Sequence, residues 1–185
     1  MAAGGAWLDE VGSGDSQGRA IQALGFAAQH SPQSEVRVRA LSCLDKTLRW
    51  LPALDGLRPR AFALLGLQAW RQAEPSLELL RLAETFARGL AAAYQTCAGP
   101  GWRWFEDELT YCNATVPQAL FGTHWAGLGL ESLAWLCGEL IVDGRLELVG
   151  NRGWYPRGGV RAPFDQQPVD AAAMIEACAE GFRAS

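Results

Sequence analysis

Apolar residues recur along this chain in blocks stepped by three and four, the period of a helix with one buried face. From Glu35 to Leu51, Val36, Ala40, Leu44, Leu48 and Leu51 share such a face, while Arg37, Arg39, Asp45, Lys46 and Arg49 fill other positions. Pro52 interrupts that run. Before it, Gly18 to Gln29 reads as a short helix rich in small residues. Pro59 stands where a first-turn proline belongs and opens a helix through Arg71. That helix is apolar on nearly every side, with Phe62, Leu64, Leu65, Leu67 and Trp70. Pro75 opens the next, to about Tyr94, in which Leu77, Leu80, Phe86, Leu90 and Ala91 alternate with Glu78, Arg81, Glu84 and Arg88. The alternation returns downstream. Val116 to Trp125 is apolar and small, whereas Leu130, Leu133, Cys137, Leu140 and Ile141 form a one-sided stripe. A last helix spans Pro168 to Arg183. The turn signal Asp143-Gly144 leaves room for an extended piece near Arg145–Val149.

A helix that is apolar all round must be covered on all sides, and a one-sided helix lies outside it. Their alternation predicts an all-α fold of antiparallel helical hairpins, with an inner and an outer layer. An internal repeat supports this: Arg19-Ala20-x-x-Ala23-Leu24-Gly25 returns as Arg60-Ala61-x-x-Leu64-Leu65-Gly66, 41 residues later. An α/α toroid and an open α-solenoid both satisfy that period. Segments Ala61–Gln68 and Ala119–Trp125 are expected inside, and Glu78, Arg81 and Arg88 in solvent. Residues 1–14, rich in Gly, Ala and Ser, read as an irregular lead-in, and residues 15–185 as one helical-hairpin domain.

Composition narrows the classes. At 185 residues, 49% hydrophobic and 19% charged, the chain is expected to be globular. A net charge of −4 with scattered arginines argues against a nucleic-acid partner. Met1 to Glu10 lacks the pattern of a signal peptide, and no apolar stretch approaches the roughly 18–20 residues that span a bilayer. Five widely spaced cysteines without a C-x-x-C pair predict neither a metal cluster nor a disulfide framework, and a cytoplasmic setting. His30 and His124 alone cannot build a metal site, and no cofactor is expected.

In an alternating array the inner helices all begin at one end, so the loops before them gather on one face. Those loops are Gly12–Arg19, Gly101–Asn113, and Gly150–Arg157 with Ala162–Pro168; the loop Leu54–Arg58 is plain. They concentrate acids, amides and aromatics. Aromatic faces stack on sugar rings, and amides, carboxylates and guanidinium groups match hydroxyls. Two carboxylates across a cleft are what glycoside cleavage requires, one to protonate the leaving oxygen and the other to assist water or attack. Packing offers its own account of several of these residues. Asp15 with Arg19 suits a helix cap and ion pair, Trp102, Trp104 and Phe105 suit a plug under a long loop, and Asp165 suits a cap. The adjacent acids Glu106-Asp107 are hardest to explain by packing.

The run Trp104-Phe105-Glu106-Asp107-x-Leu109-x-Tyr111-x-Asn113-Ala114-x-x-Pro117-Gln118-Ala119-Leu120, with Gly150-Asn151-x-Gly153-Trp154-Tyr155 and Phe164-Asp165-Gln166-Gln167-Pro168-x-Asp170-Ala171, resembles α/α-toroid proteins associated with bacterial glycosyltransferases. These belong to the six-hairpin glycosidase-like class, and Ser13–Gly25 is similar to an earlier segment of the same proteins. The resemblance implies a carbohydrate-active or carbohydrate-binding protein. Glu106 or Asp107 and Asp165 would be the catalytic acids, and Asp15, Arg19, Trp104, Asn113, Asn151, Trp154, Gln166 and Gln167 the sugar-binding residues. Its partners would be a glycan and a glycosyltransferase. Cys112 departs from the pattern, standing where those proteins tend to carry an acid or small polar residue. About seven helices make three hairpins and one unpaired inner helix, a partial ring whose uncovered apolar surface invites self-association. Rival readings are a non-catalytic module holding a glycan or glycosyltransferase, an α-solenoid scaffold, and a sugar epimerase, against which the shortage of histidine counts.

Overall fold

The computed structural model describes residues 12–185 and contains seven α-helices in that span: α1 (Gly14–His30), α2 (Ser34–Asp45), α3 (Leu57–Ala73), α4 (Leu77–Cys97), α5 (Thr115–Leu120), α6 (Ala126–Leu140) and α7 (Pro168–Ala184). Most of the expected lead-in, residues 1–11, lies outside the described residues. The predominantly helical expectation holds. Strands are confined to two antiparallel pairs of two residues each. β1 (Glu108–Leu109) pairs with β4 (Tyr155–Pro156), and β2 (Ile141–Val142) pairs with β3 (Arg145–Leu146). The second pair turns on Asp143 and Gly144, both at positive φ (51° and 74°), as a two-residue hairpin requires. The first was not foreseen. It ties the loop before α5 to the loop before α7.

The sequence repeat is a packing register. A Cβ built on Gly18 would fall 2.5 Å from the Pro59 carbonyl oxygen, and one on Gly25 would fall 2.3 Å from that of Gly66. Both contacts join residues 41 apart, so α1 and α3 run parallel with their backbones touching at the repeated glycines. On the other side of α3, Arg58 reaches Asn113 and Gln68 reaches the Ala119 carbonyl, which sets α5 parallel to α3. Cys112 bonds Asp170, and Gly181 lies against the Phe121 ring, which continues the row to α7. Helices α1, α3, α5 and α7 thus form one parallel layer that begins at one end. Short turns return the chain through α2, α4 and α6, as Gly89 beside Arg60 and Cys137 beside Cys178 show.

Burial follows this layering. The segment Ala61–Leu67 of α3 is buried throughout and all six residues of α5 are buried, while Glu78, Arg81 and Arg88 are exposed on α4. Expectation and structure part at helix ends. α2 stops at Asp45 instead of Leu51, because the Thr47 amide and hydroxyl both bond the Leu44 carbonyl (2.7 Å each) and a 3-10 turn follows at Leu51–Ala53. α5 ends at Leu120, and Phe121–Trp125 forms a half-exposed turn in which Thr123 bonds the Leu120 carbonyl. Serines cap two of the helices. The Ser13 hydroxyl accepts from the Ser16 amide at the start of α1, and Ser76 accepts from the Glu78 and Leu79 amides at the start of α4.

Trp102, Trp104 and Phe105 form an aromatic plug between α4 and α6. Trp104 packs edge-on to Phe105 (5.2 Å between centroids), and Trp102 packs the same way on Trp135 (4.9 Å). All three are buried. The outer face of α7, by contrast, leaves Ile175 and Phe182 68% and 85% exposed. Among the described residues no helix is long and apolar enough to cross a membrane, and no group of His, Cys, Asp and Glu could hold a metal ion. The Cys137 and Cys178 sulfurs lie 3.7 Å apart between α6 and α7. Burial, then the neighbouring Cys178, pushes the Cys137 thiol up to about 11, so it stays protonated near neutral pH.

Candidate functional site

Where the parallel helices begin, side chains from α1, α3 and α7 meet the loop that leads into α5. Asp15 lies in the first turn of α1, one residue beyond the position that Ser13 has brought to the helix start. Its Oδ2 pairs with Arg19 Nε one turn on (2.8 Å), and its Oδ1 accepts from the Tyr111 hydroxyl (3.0 Å). Arg19 also reaches across to α3 and the long loop. Its guanidinium sits 4.1 Å over the Phe62 ring, and Nη2 stands 3.2 Å from Cys112 Sγ. The expected ion pair of Asp15 and Arg19 is therefore present, but the capping atom belongs to Ser13.

Arg58, at the start of α3, is the centre of the cluster. Only 6% of its side chain is exposed, and every nitrogen of its guanidinium is engaged. Nε donates to the Tyr111 carbonyl, Nη1 to Glu106 Oε2 (2.8 Å) and Nη2 to Asn113 Oδ1 (3.0 Å). Its plane also stacks over the Tyr111 ring at 4.9 Å. Asn113 in turn closes its own loop, accepting from the Thr110 amide and donating to the Thr110 carbonyl. Burial first, then the hydrogen bond to Asp15, pushes the Tyr111 phenol up to about 12, which keeps it a donor. The Trp154 ring lies 6.3 Å from that of Tyr111.

Asp170, in the first turn of α7, completes the group from the far side. Its Oδ1 accepts from the Cys112 amide, a residue held at φ 46°. Its Oδ2 is buried with no hydrogen-bond partner among the described residues. Burial raises the Asp170 pKa above 3.8, against the Cys112 hydrogen bond and the charges of Arg58 and Arg19, which lower it. Burial likewise pushes the Cys112 thiol up, although Arg19 opposes this.

A raised folded-state pKa means that the native protein holds the Asp170 proton longer than the unfolded chain does. The stability this contributes is complete below 3.8 and is lost as pH rises through the higher folded value. Asp170→Asn keeps an oxygen for the Cys112 amide and removes the titration. Its melting temperature should therefore gain on the wild type as pH is raised from about 4 towards 7. A constant difference across that range would show that Asp170 does not titrate in this way.

The other residues singled out in the sequence lie elsewhere. Asp107 is 81% exposed and faces Arg157 at 3.6 Å, its carbonyl accepting from the Arg157 amide (2.8 Å). Asp165, at φ 60°, pairs with Arg152 at 2.5 Å. It is not the α7 cap, a position held by Gln167 without a side-chain bond. Asn151 and Gln166 are exposed, Gln166 donating to the Pro163 carbonyl. Trp104 is sealed beneath the loop with no surface on which a sugar could stack. Asp15, Arg19, Glu106, Asn113 and Trp154 thus belong to one neighbourhood, and among the described residues no hydrogen bond or ion pair joins Asp165 to Asp15 or Glu106. Arg58, Tyr111 and Asp170 are the members that sequence reasoning passed over. Arg58 stood in the loop taken as plain, and Tyr111 and Asp170 stood in the motifs of the resemblance without a role.

Comparison with protein-family models, with curated proteins and with solved structures found no match for the chain.

Proposed function

We propose that this is a carbohydrate-binding protein of the α/α-toroid kind, holding glycan on the face where α1, α3, α5 and α7 begin. One observation carries the reading: the start of α1 and two separate loops bring Asp15, Arg19, Tyr111 and Trp154 into one partly exposed group of acid, cation and aromatic rings. Such a group matches a sugar's alternation of hydroxyls and C–H faces. The binding reading is preferred to hydrolysis because the loop acids are committed: Asp15 to Arg19, Glu106 to Arg58, Asp107 to Arg157 and Asp165 to Arg152. Hydrolysis remains a second reading on the strength of Asp170, whose raised pKa and unpartnered oxygen suit a proton donor. The partial ring and its self-association belong to the same proposal, and the exposed apolar face of α7 supports them. A glycosyltransferase partner rests on the sequence resemblance.

The test is a glycan array, followed by titration and hydrolysis assays on the hits. Trp154→Ala and Arg19→Gln should each weaken binding about tenfold, equal to about 1.4 kcal/mol. If bonds are also cut, Asp170→Asn should lower turnover by about 10²–10⁴-fold, with Glu106→Gln, Asp107→Asn and Asp165→Asn as comparisons. No glycan binding at all, by a protein that melts cooperatively, would leave the helical scaffold.

A further inference from the structure

The other end of α3 carries a second group of uncommitted polar side chains. Between α3, α4 and the turn after α5 lies a cavity of about 590 Å³. It is lined near the end of α3 by Gln68 and Arg71, whereas Arg58 stands in that helix's first turn. Thirteen residues of helix put the two sites about 20 Å apart.

The walls have a definite chemistry. Helix α4 turns Leu80, Ala83, Glu84, Ala87 and Arg88 towards the space, at the three- and four-residue steps of one helix face. The two alanines hollow out the floor, and the Trp125 indole adds an aromatic wall from the turn. Gln68 spends its amide nitrogen on the Ala119 carbonyl (2.8 Å), and its oxygen has no hydrogen-bond partner among the described residues. Arg71 Nε is buried and has no hydrogen-bond partner among the described residues. Neither Arg71 nor Arg88 forms an ion pair with a described carboxylate, although Glu84 stands one turn from Arg88 on the same helix. A guanidinium normally collects acceptors, and Arg58 in this same protein engages all three nitrogens. Nε itself is shut off from the cavity, so an acceptor from outside the chain meets the outer two nitrogens of Arg71, which make no hydrogen bond among the described residues.

We infer that this cavity is a binding site for a small organic anion with an apolar, ring-sized body. Its acidic head bonds Arg71, with Arg88 as the second cation, and its body lies between the α4 alanines and Trp125. Two guanidinium groups against one carboxylate give the lining an excess positive charge, which excludes a cationic ligand and favours a single negative head. The volume falls in the range of about 300–1,000 Å³ typical of small-molecule sites and is too large for an inorganic anion alone to fill. A carboxylate and a phosphate monoester share the required chemistry. The site is independent of the glycan face.

The experiment is isothermal titration of the whole chain with 3-phenylpropanoate, phenyl phosphate and the uncharged 3-phenylpropanamide. At least one of the two anions should bind at one equivalent, and the amide should bind it at least tenfold more weakly. Whichever anion binds more tightly identifies the head group. Arg88→Gln changes an exposed residue, so the fold is kept, and binding should weaken severalfold. Arg71→Gln should weaken it further, and Glu84→Gln should tighten it by removing a like charge. Failure of both anions to bind at about 10 mM, a free energy near −3 kcal/mol, would overturn the inference. Equal binding of anion and amide, or binding indifferent to both arginine substitutions, would overturn it as well.

Discussion

Arg58→Ala is expected to lower the melting temperature by about 5–15 °C. The side chain is 6% exposed and holds three acceptors, so truncation strands the Tyr111 carbonyl, leaves the Glu106 carboxylate without its cation and leaves Asn113 Oδ1 with the Thr110 amide alone. Removing one partner of a fully buried ion pair costs about 3–5 kcal/mol. Glu106 is 34% exposed and regains some hydration, which brings the expected cost to about 2–4 kcal/mol. For a chain of this size each kcal/mol shifts the midpoint by roughly 2–4 °C. Arg58→Lys should rescue little, because an ammonium is a point charge and cannot occupy three fixed directions at once. Glu106→Gln should cost less, about 1 kcal/mol, since the amide oxygen can still accept from Nη1. Calorimetry on the three variants settles the order. A shift under about 2 °C for Arg58→Ala would mean that the long loop does not depend on this contact.

The same residue shows why the site was harder to read than the fold. Helix α4 announces itself because every third or fourth residue must face the core, and a local pattern suffices to say so. The α1–α3 register was legible for a similar reason, since glycines recurring at one helical phase mark where two backbones touch. Arg58 carries no such signal. Its partners lie 48, 53 and 55 residues away, and an arginine at a helix start looks like any solvated one until the loop folds back. Asp170 was hidden the same way, with its partner Cys112 58 residues distant. Trp104 admitted two readings, a plug under the long loop and a platform for a sugar, and its packing on Phe105 and on Trp135 of α6 makes it the plug. Helix ends depended on single hydroxyls. Thr47 and Thr123 each capture a carbonyl three residues back, where an apolar pattern alone would carry the helix onward.

Gly66→Ala is expected to be as damaging as loss of Arg58, although alanine is the better helix former by about 1 kcal/mol. A Cβ at position 66 would meet the Ile21 carbonyl oxygen at 2.4 Å, its carbon at 2.5 Å and the Gln22 nitrogen at 2.7 Å. All three are backbone atoms of α1, so no rotamer change relieves them. Relief requires α1 and α3 to separate by about 1 Å, which opens a gap along a tightly packed pair and forfeits dispersion contacts along its length. Overpacking typically costs about 1–3 kcal/mol, and a clash of backbone on backbone in two rigid helices lies above that range, at about 3–5 kcal/mol. With the helix-propensity gain set against it, the net loss should be about 2–4 kcal/mol, or about 5–15 °C in the melting midpoint. Gly138→Ala supplies the control. That position is exposed within α6 and an added Cβ meets nothing within 4 Å, so the propensity gain stands alone and the variant should be more stable by up to about 1 kcal/mol. Opposite signs for the same substitution in two helices are what parallel, backbone-touching α1 and α3 require. Stabilisation at both positions would show that the two helices are not in contact at Gly66.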